Sequence, residues 1–253
     1  MTTPKLTLVG AGPGDPELIT LKAINAIKSA NVILYDALVN EDLLQYASHS
    51  SEKIFVGKRK GCYAYQQDQI NELIVNRALN FGHVVRLKGG DPFIFGRGAE
   101  EIEYVQQFNI QGDIVPGISS SSAVPAYQGI PLTKRGASES FWVITGTTKS
   151  HQISNDIKLA AQSTATVVIL MGMGKLAEIV KIFTSEGKAD TAIAIIQNGT
   201  TENEKSGIGT ITTIEAIVDQ KELSSPAIII IGEVVNQRVN LKAIYNNLKK
   251  QTT

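Results

Sequence analysis

One cysteine, Cys62, and three scattered histidines, His49, His83 and His151, are all that the chain offers to a disulfide or a soft-metal site. No internal disulfide and no thiolate cluster can form, so the expectation is a reducing, cytoplasmic setting and no metal centre. Net charge is also missing. The 24 Lys and Arg residues balance 24 Asp and Glu residues, so no global field gathers nucleic acid or an anionic membrane, and an anionic ligand must be met by a local basic cluster. The longest uninterrupted aliphatic stretch, Ala227 to Ile231, falls far short of the roughly 20 residues that cross a bilayer. The first residues lead into a strand pattern without a leader-like apolar run, and the reading is a soluble chain with no membrane partner. No sequence repeat and no low-complexity tract is present, which excludes solenoids and linker arrays.

What remains is a globular composition, 43% hydrophobic and 19% charged over 253 residues, long enough for one large α/β unit or two lobes. Short β-branched runs alternate with longer amphipathic stretches, the pattern of helices covering a largely parallel sheet. Strands are expected near residues 5–9, 32–35, 53–56, 84–88 and 113–115, with helices at 16–29, 66–81 and 97–108. A boundary falls at Val115–Gly117, where Pro116 stops pairing and Gly117 permits a change of direction. This divides the chain into an N-terminal lobe, 1–115, and a C-terminal lobe, 116–253. The second lobe is expected to carry strands at 141–145, 166–171, 192–197, 207–212 and 227–232, and helices at 120–128, 175–185, 213–219 and 236–248. After Ala192 the Gly and Thr spacing suits antiparallel strands, so its sheet should be mixed.

Two glycine loops carry the functional signal. The first strand runs into Gly10, Gly12 and Gly14, followed by Asp15 and Pro16, which suit a helix start. A dinucleotide loop is the natural comparison, with Tyr35-Asp36 about twenty residues on where a ribose-binding acid would sit. The spacing departs from that motif: Asp15 stands where the third glycine belongs, and Pro13 removes an amide donor. The second loop, Gly89-Gly90-Asp91-Pro92, follows a strand and leads to Arg97, Glu100 and Glu101 at a helix start, with Arg97 and Glu100 on one helical face.

These loops, with Tyr35-Asp36-Ala37-Leu38-Val39, Val56-Gly57-Lys58-Arg59, the GGDPFIFGRGAEE string from Gly89, Val115 to Ser120, and Gly129-Ile130-Pro131-Leu132-Thr133, resemble the tetrapyrrole methylases in order and spacing. The resemblance covers nearly the whole chain and is strongest to the branch that methylates uroporphyrinogen III to precorrin-2, at the head of sirohaem and cobalamin synthesis. It implies a homodimeric S-adenosylmethionine (SAM) methyltransferase of two α/β lobes with the active site in the cleft between them, releasing S-adenosyl-L-homocysteine. It also implies SAM-binding positions Pro13, Gly89, Gly90, Asp91, Ile94, Ser119, Ser120, Met171, Gly199 and Ala227. The substrate-facing or catalytic positions it implies are Asp36, Lys58, Arg97, Glu100 and Arg135. The family's Thr-His-Arg-Asp run is Thr133-Lys134-Arg135-Gly136 here, keeping Arg135 but not the His or Asp, and its Thr-Gly-His is Thr145-Gly146-Thr147.

The residues support that chemistry on their own terms. A porphyrinogen ring carbon is already nucleophilic and the sulfonium already activates the methyl group, so the protein must align the two and remove a ring proton. Glu100 or Asp36 could be the base. The substrate's carboxylate arms call for local cations, and Lys58 to Lys60, Arg97 and Lys134-Arg135 supply candidates, with Arg the better bidentate grip. The competing readings are a methylase of the same fold acting on a later corrin precursor, a relative acting on protein or RNA, and a nicotinamide-dependent oxidoreductase; even charge counts against RNA.

Overall fold

The computed structural model describes residues 3–57 and 65–239. Lys58, Arg59, Lys60 and Cys62 lie outside the described residues, as does the greater part of the helix expected over 236–248. The chain divides into two compact units, Met1–Ser119 and Ser120–Thr253.

The first unit is built on β1 (Lys5–Gly10), β2 (Val32–Tyr35), β3 (Glu52–Phe55), β4 (His83–Lys88) and β5 (Gln111–Val115), in the order β3-β2-β4-β1-β5. All pairs are parallel. Helix α1 (Leu21–Ser29) covers one face of the sheet, and α2 (Gln67–Phe81) and α3 (Gly98–Gln106) cover the other. Both faces are therefore buried, which is why these strands read as nearly continuous apolar runs. The period of two sorts β4: Val85 and Leu87 join Ile27 and Ile33 on the α1 side, while Val84 joins Leu34, Ile74 and Val105 on the other. Each such side chain, taken fully out of water, contributes about 1.5–3 kcal/mol.

The expected helix over 16–29 is broken. Asp15 caps a single 3-10 turn, Pro16–Leu18, by accepting from the Glu17 amide at 2.9 Å, and Thr20 then caps α1 by accepting from Ala23 at 3.1 Å. A second 3-10 segment, Glu41–Tyr46, went unrecognised because its single buried residue, Leu43, gives no period.

The second unit holds α4 (Ser120–Tyr127), β6 (Phe141–Thr145), α5 (Asp156–Gln162), β7 (Thr166–Leu170), α6 (Leu176–Ser185), β8 (Ala192–Gln197), β9 (Lys205–Thr210), α7 (Ile214–Lys221) and β10 (Ala227–Ile231). Strand order is β6-β7-β10-β8-β9. β6 and β7 are parallel and the other pairs antiparallel, the mixed sheet that the sequence leads one to expect. The four isoleucines of β10 sit centrally, alternating between the two apolar layers. Helix α5 escaped prediction because two short turns with Ala160 and Ala161 on the buried side make a weak apolar stripe. No helix starts at Asn236; a 3-10 turn, Glu233–Val235, precedes it, and Arg238 and Val239 then bond to the carbonyls of Gln128 and Gly129.

His83 opens β4 half-buried, its ring bonded to the Thr7 hydroxyl at 2.8 Å and the Ser29 carbonyl at 3.1 Å. Burial holds its pKa below the ordinary 6.5, partly offset by the Ser29 carbonyl. Below pH 6.5 the unfolded chain takes up this proton before the native chain does, so stability falls as acid is added until the lower native value is passed. Melting temperature should therefore drop on acidification below pH 6.5, and His83→Gln should shallow that drop; an unchanged slope would assign the acid sensitivity to other groups.

Candidate functional site

Every chemically distinctive loop of the first unit leaves the carboxyl edge of its sheet. Pro13 follows β1, Asp36 follows β2, Gly89 to Asp91 follow β4, and Ser119 follows β5. The chain turns from β1 to α1 on one face and from β4 to α3 on the other, so adjacent strands β1 and β4 diverge at this edge, the kind of place where open α/β sheets bind ligands.

The two glycine loops are fastened together. Gly90 donates to the Gly12 carbonyl at 2.7 Å and Gly12 to the Gly90 carbonyl at 3.2 Å. A Cβ on Gly10 would lie 2.4 Å from the Gly117 nitrogen, and one on Gly117 would lie 2.2 Å from the Gly90 oxygen. Backbone thus meets backbone with no room for a side chain. Asp91 closes the arrangement: Oδ1 accepts from the Phe93 amide at 2.8 Å and Oδ2 from the Gly117 amide at 3.0 Å. Its carboxylate, expected to face a ligand, is also the staple that holds the loop after β5 against the loop after β4. Ile94, Phe93 and Phe95 stand exposed just beyond it.

Asp36 and Arg97 line one open pocket of about 320 Å³, together with Leu38, Val56 and Gln67. Asp36 Oδ1 accepts from the Leu38 amide at 3.1 Å, and Oδ2 lies 3.5 Å from the buried Arg86 guanidinium. Arg97 caps α3 in the left-handed region, φ 59°. Its Nε donates to both Glu100 oxygens, at 3.0 and 3.1 Å, and Nη2 pairs with the same carboxylate. That hydrogen bond raises the arginine's pKa above its ordinary value. Glu100 is thus engaged by Arg97.

Beneath the pocket lies a cluster that sequence reasoning missed. Glu101, fully buried, accepts from Lys88 Nζ at 2.9 Å on both oxygens and from Arg86 Nε at 3.4 Å. Burial and the neighbouring Arg86 hold the Lys88 pKa below its ordinary 10.5 against the pull of Glu101. Two signals were available: Arg86 and Lys88 are cations at alternate positions of an otherwise apolar strand, and Glu101 shares the buried helical stripe with Gly98 and Val105.

In the second unit, Met171 follows β7, Gly199 follows β8 and Ala227 opens β10, which pairs with both, so all three lie at one edge of the second sheet. The backbone there is strained, with φ 55° at Met171, 49° at Asn198 and 67° at Thr200. Glu204 supports the 198–204 loop by accepting from the Thr200 amide at 2.9 Å and pairing with Gln128. Ser120 opens α4. Arg135 is exposed in a turn closed by Lys134 and Ser138. Ser138 Oγ accepts from Thr166 at the start of β7, the end away from Met171. Within this unit the structure does not bring Arg135 to the edge where Met171, Gly199 and Ala227 gather.

A profile of the Tetrapyrrole (Corrin/Porphyrin) Methylases matches residues 5–215. The chain belongs to the tetrapyrrole methylases. It is 45% identical over 236 residues to a protein of Methanocaldococcus jannaschii named uroporphyrinogen-III C-methyltransferase, covering 92% of this chain and 98% of that one. A Psychrobacter cryohalolentis siroheme synthase is 42% identical over 98% of this chain, which spans only 47% of that relative. Among solved structures, a Thermus thermophilus uroporphyrin-III C-methyl transferase complexed with S-adenyl homocysteine is similar at TM-score 0.79 and 35% identity, covering 92% and 99% of the two chains.

SAM carries no phosphate, and the loops around Gly10, Gly90 and Gly117 offer close backbone approach with few free amides, Pro13 having none. The residues present suit such a molecule better than a pyrophosphate, which needs several amide donors. Among the described residues no helix is long and apolar enough to cross a membrane.

Proposed function

We propose that this chain transfers methyl groups from SAM to carbon atoms of uroporphyrinogen III, giving precorrin-2 and S-adenosyl-L-homocysteine. The observation that carries the reading is near-full-length similarity, on both sides, to the Methanocaldococcus protein of that name. SAM supplies a methyl group already activated by its sulfonium. The chain's own residues align the ring with that group and take a proton from the ring.

SAM is held by Pro13, Gly89 to Asp91, Ile94, Ser119, Ser120, Met171, Gly199 and Ala227. Asp91 acts twice, as a contact and as the staple of the loops. Asp91→Ala should weaken SAM binding by about 1.5–3 kcal/mol, the value of hydrogen bonds to a charged group, read by calorimetry. An unchanged dissociation constant would remove Asp91 from the SAM contacts.

Asp36 is the base, and Lys58 a further polar group at the reacting ring. Asp36 is favoured over Glu100 because it lines the pocket with a buried cation behind it, while Glu100 is engaged by Arg97. Arg97, at the pocket wall, grips a substrate carboxylate, and Arg135 is given the same role on the resemblance alone. Arg97 can exchange Glu100 for a substrate carboxylate without losing a charged partner, so Arg97→Leu and Arg135→Leu should raise the KM for the porphyrinogen while SAM affinity holds. Loss of SAM binding in a folded variant would reassign that arginine.

The reading extends to the homodimer that the family resemblance implies, and to work in the cytoplasm without nucleic-acid or membrane partners, which balanced charge and a single cysteine support. Anaerobic incubation with uroporphyrinogen III and SAM, followed by mass analysis, tests the function. A product heavier by one CH2 for each methyl transferred is expected, since each transfer also costs the ring a proton. No mass change there, with methylation of a later corrin precursor, would move the substrate along the pathway.

A further inference from the structure

Four charged side chains form a connected cluster under the carboxyl edge of the first sheet, and three of them meet almost no water. Arg86 is 4% exposed, Lys88 5% and Glu101 0%, whereas the Asp36 side chain is 24% exposed and faces the pocket. Two cations balance two carboxylates, so the group is neutral as a whole. It nevertheless sits on the α2/α3 side of a strand whose preceding residue on that side, Val84, is fully apolar and buried. Well-packed hydrophobic residues in such a place are often as stabilising as a buried ion pair, so stability alone is a weak reason for the cluster.

The geometry of Arg86 supplies a better one. Its Nε donates to Glu101, and Nη1 donates to the carbonyls of Leu87 at 3.0 Å and Leu34 at 3.5 Å. A guanidinium is a rigid planar fork, so fixing these arms fixes the remaining one. That arm, Nη2, points to Asp36 Oδ2. Glu101 is held in turn by Lys88 on both oxygens and by Gln67 Nε2 at 3.1 Å, and Gln67 is bonded to Asn71 on α2. The chain of contacts runs from helix to helix to strand and ends on one carboxylate at the pocket wall. Asp36 Oδ1 is set from the other side by the Leu38 amide.

We propose that Arg86, clamped by Glu101 and by the carbonyls of Leu34 and Leu87, is a positioning residue that sets the direction of the Asp36 carboxylate for proton removal, with Lys88 and Gln67 holding the clamp. This rests on the reading of Asp36 as the base. Arg86 itself touches no reacting atom. Its effect passes wholly through Asp36, and a carboxylate free to swing loses the alignment on which proton transfer depends.

The test is a double-mutant cycle in the full chain: Arg86→Gln, Asp36→Asn and the pair, with kcat, the porphyrinogen KM, SAM affinity by calorimetry and the melting temperature measured for each. Arg86→Gln is expected to lower kcat by about ten- to a hundredfold with SAM affinity retained. In the Asp36→Asn background the same change should do nothing further to kcat. Should Arg86→Gln fail to fold, Arg86→Lys carries the test, because it keeps the charge beside Glu101 but lacks the second arm, and the same loss is expected. Wild-type kcat in the folded Arg86 variant, or losses that multiply in the pair, would overturn the proposal while leaving Asp36 as the base. Full kcat in Asp36→Asn alone would instead overturn the assignment of the base, and the positioning role with it.

Discussion

Asp36→Asn should lower kcat by about 10²–10⁴-fold, the usual worth of a positioned general base, while SAM binds as before. The expectation follows from where the carboxylate sits. It leaves the end of β2 at the carboxyl edge, has one oxygen on the Leu38 amide and the other toward Arg86, and shares a pocket wall with Arg97. Asn keeps the shape and the amide contact but accepts no proton at neutral pH. Glu100→Gln is the matched control, since it should loosen Arg97 and act on KM before kcat. Single-turnover measurement with SAM prebound separates the chemical step from release. Full activity in Asp36→Asn, with a large loss in Glu100→Gln, would exchange the two roles.

Glu101→Ala is expected to destabilise the fold by about 3–5 kcal/mol, because it leaves the Arg86 and Lys88 cations buried with only Asp36 to answer them. The contrast within the chain is Lys175 and Glu178, three apart at the start of α6, paired at 2.8 Å with the glutamate half exposed. Breaking that pair should cost about 0–1 kcal/mol, since water and screening replace most of what is lost. Urea denaturation of both variants with an unchanged slope reads the difference directly. If Glu101→Ala lost no more than Glu178→Ala, the buried group would have to be hydrated or neutral in the native state.

Much of the fold was legible because the strands print as short, β-branched apolar runs and most of them end at or just before Gly, Pro or Asp. The places that were not legible share a cause. Helix α5 and the 3-10 segment at Glu41–Tyr46 expose too few large apolar residues to print a period. At the site, the loops after β1 and β4 were visible as glycine clusters, but their mutual bridge through Gly12 and Gly90 is a contact between distant residues that spacing does not encode. The buried cluster was hidden for the same reason. Arg86 and Lys88 stand in an apolar strand and Glu101 on the stripe of Gly98 and Val105, but only the sheet shows that the three point inward and meet.

The left-handed residues suggest how this chain would respond to selection for heat resistance. Phe95, Arg97, Met171, Asn198 and Thr200 hold a backbone that glycine adopts at far less cost, and all five stand in the loops that carry candidate ligand contacts. Strain of this kind is worth on the order of 1–3 kcal/mol per residue, so glycine substitutions there would be attractive to a search that rewards stability of the fold alone. The same substitutions would remove the side chains of Arg97 and Met171 and let the 198–204 loop wander. Stability and turnover are thus set against each other at a handful of named positions, and a faster or hardier descendant of this chain has to choose between them there rather than in the isoleucine-rich interior.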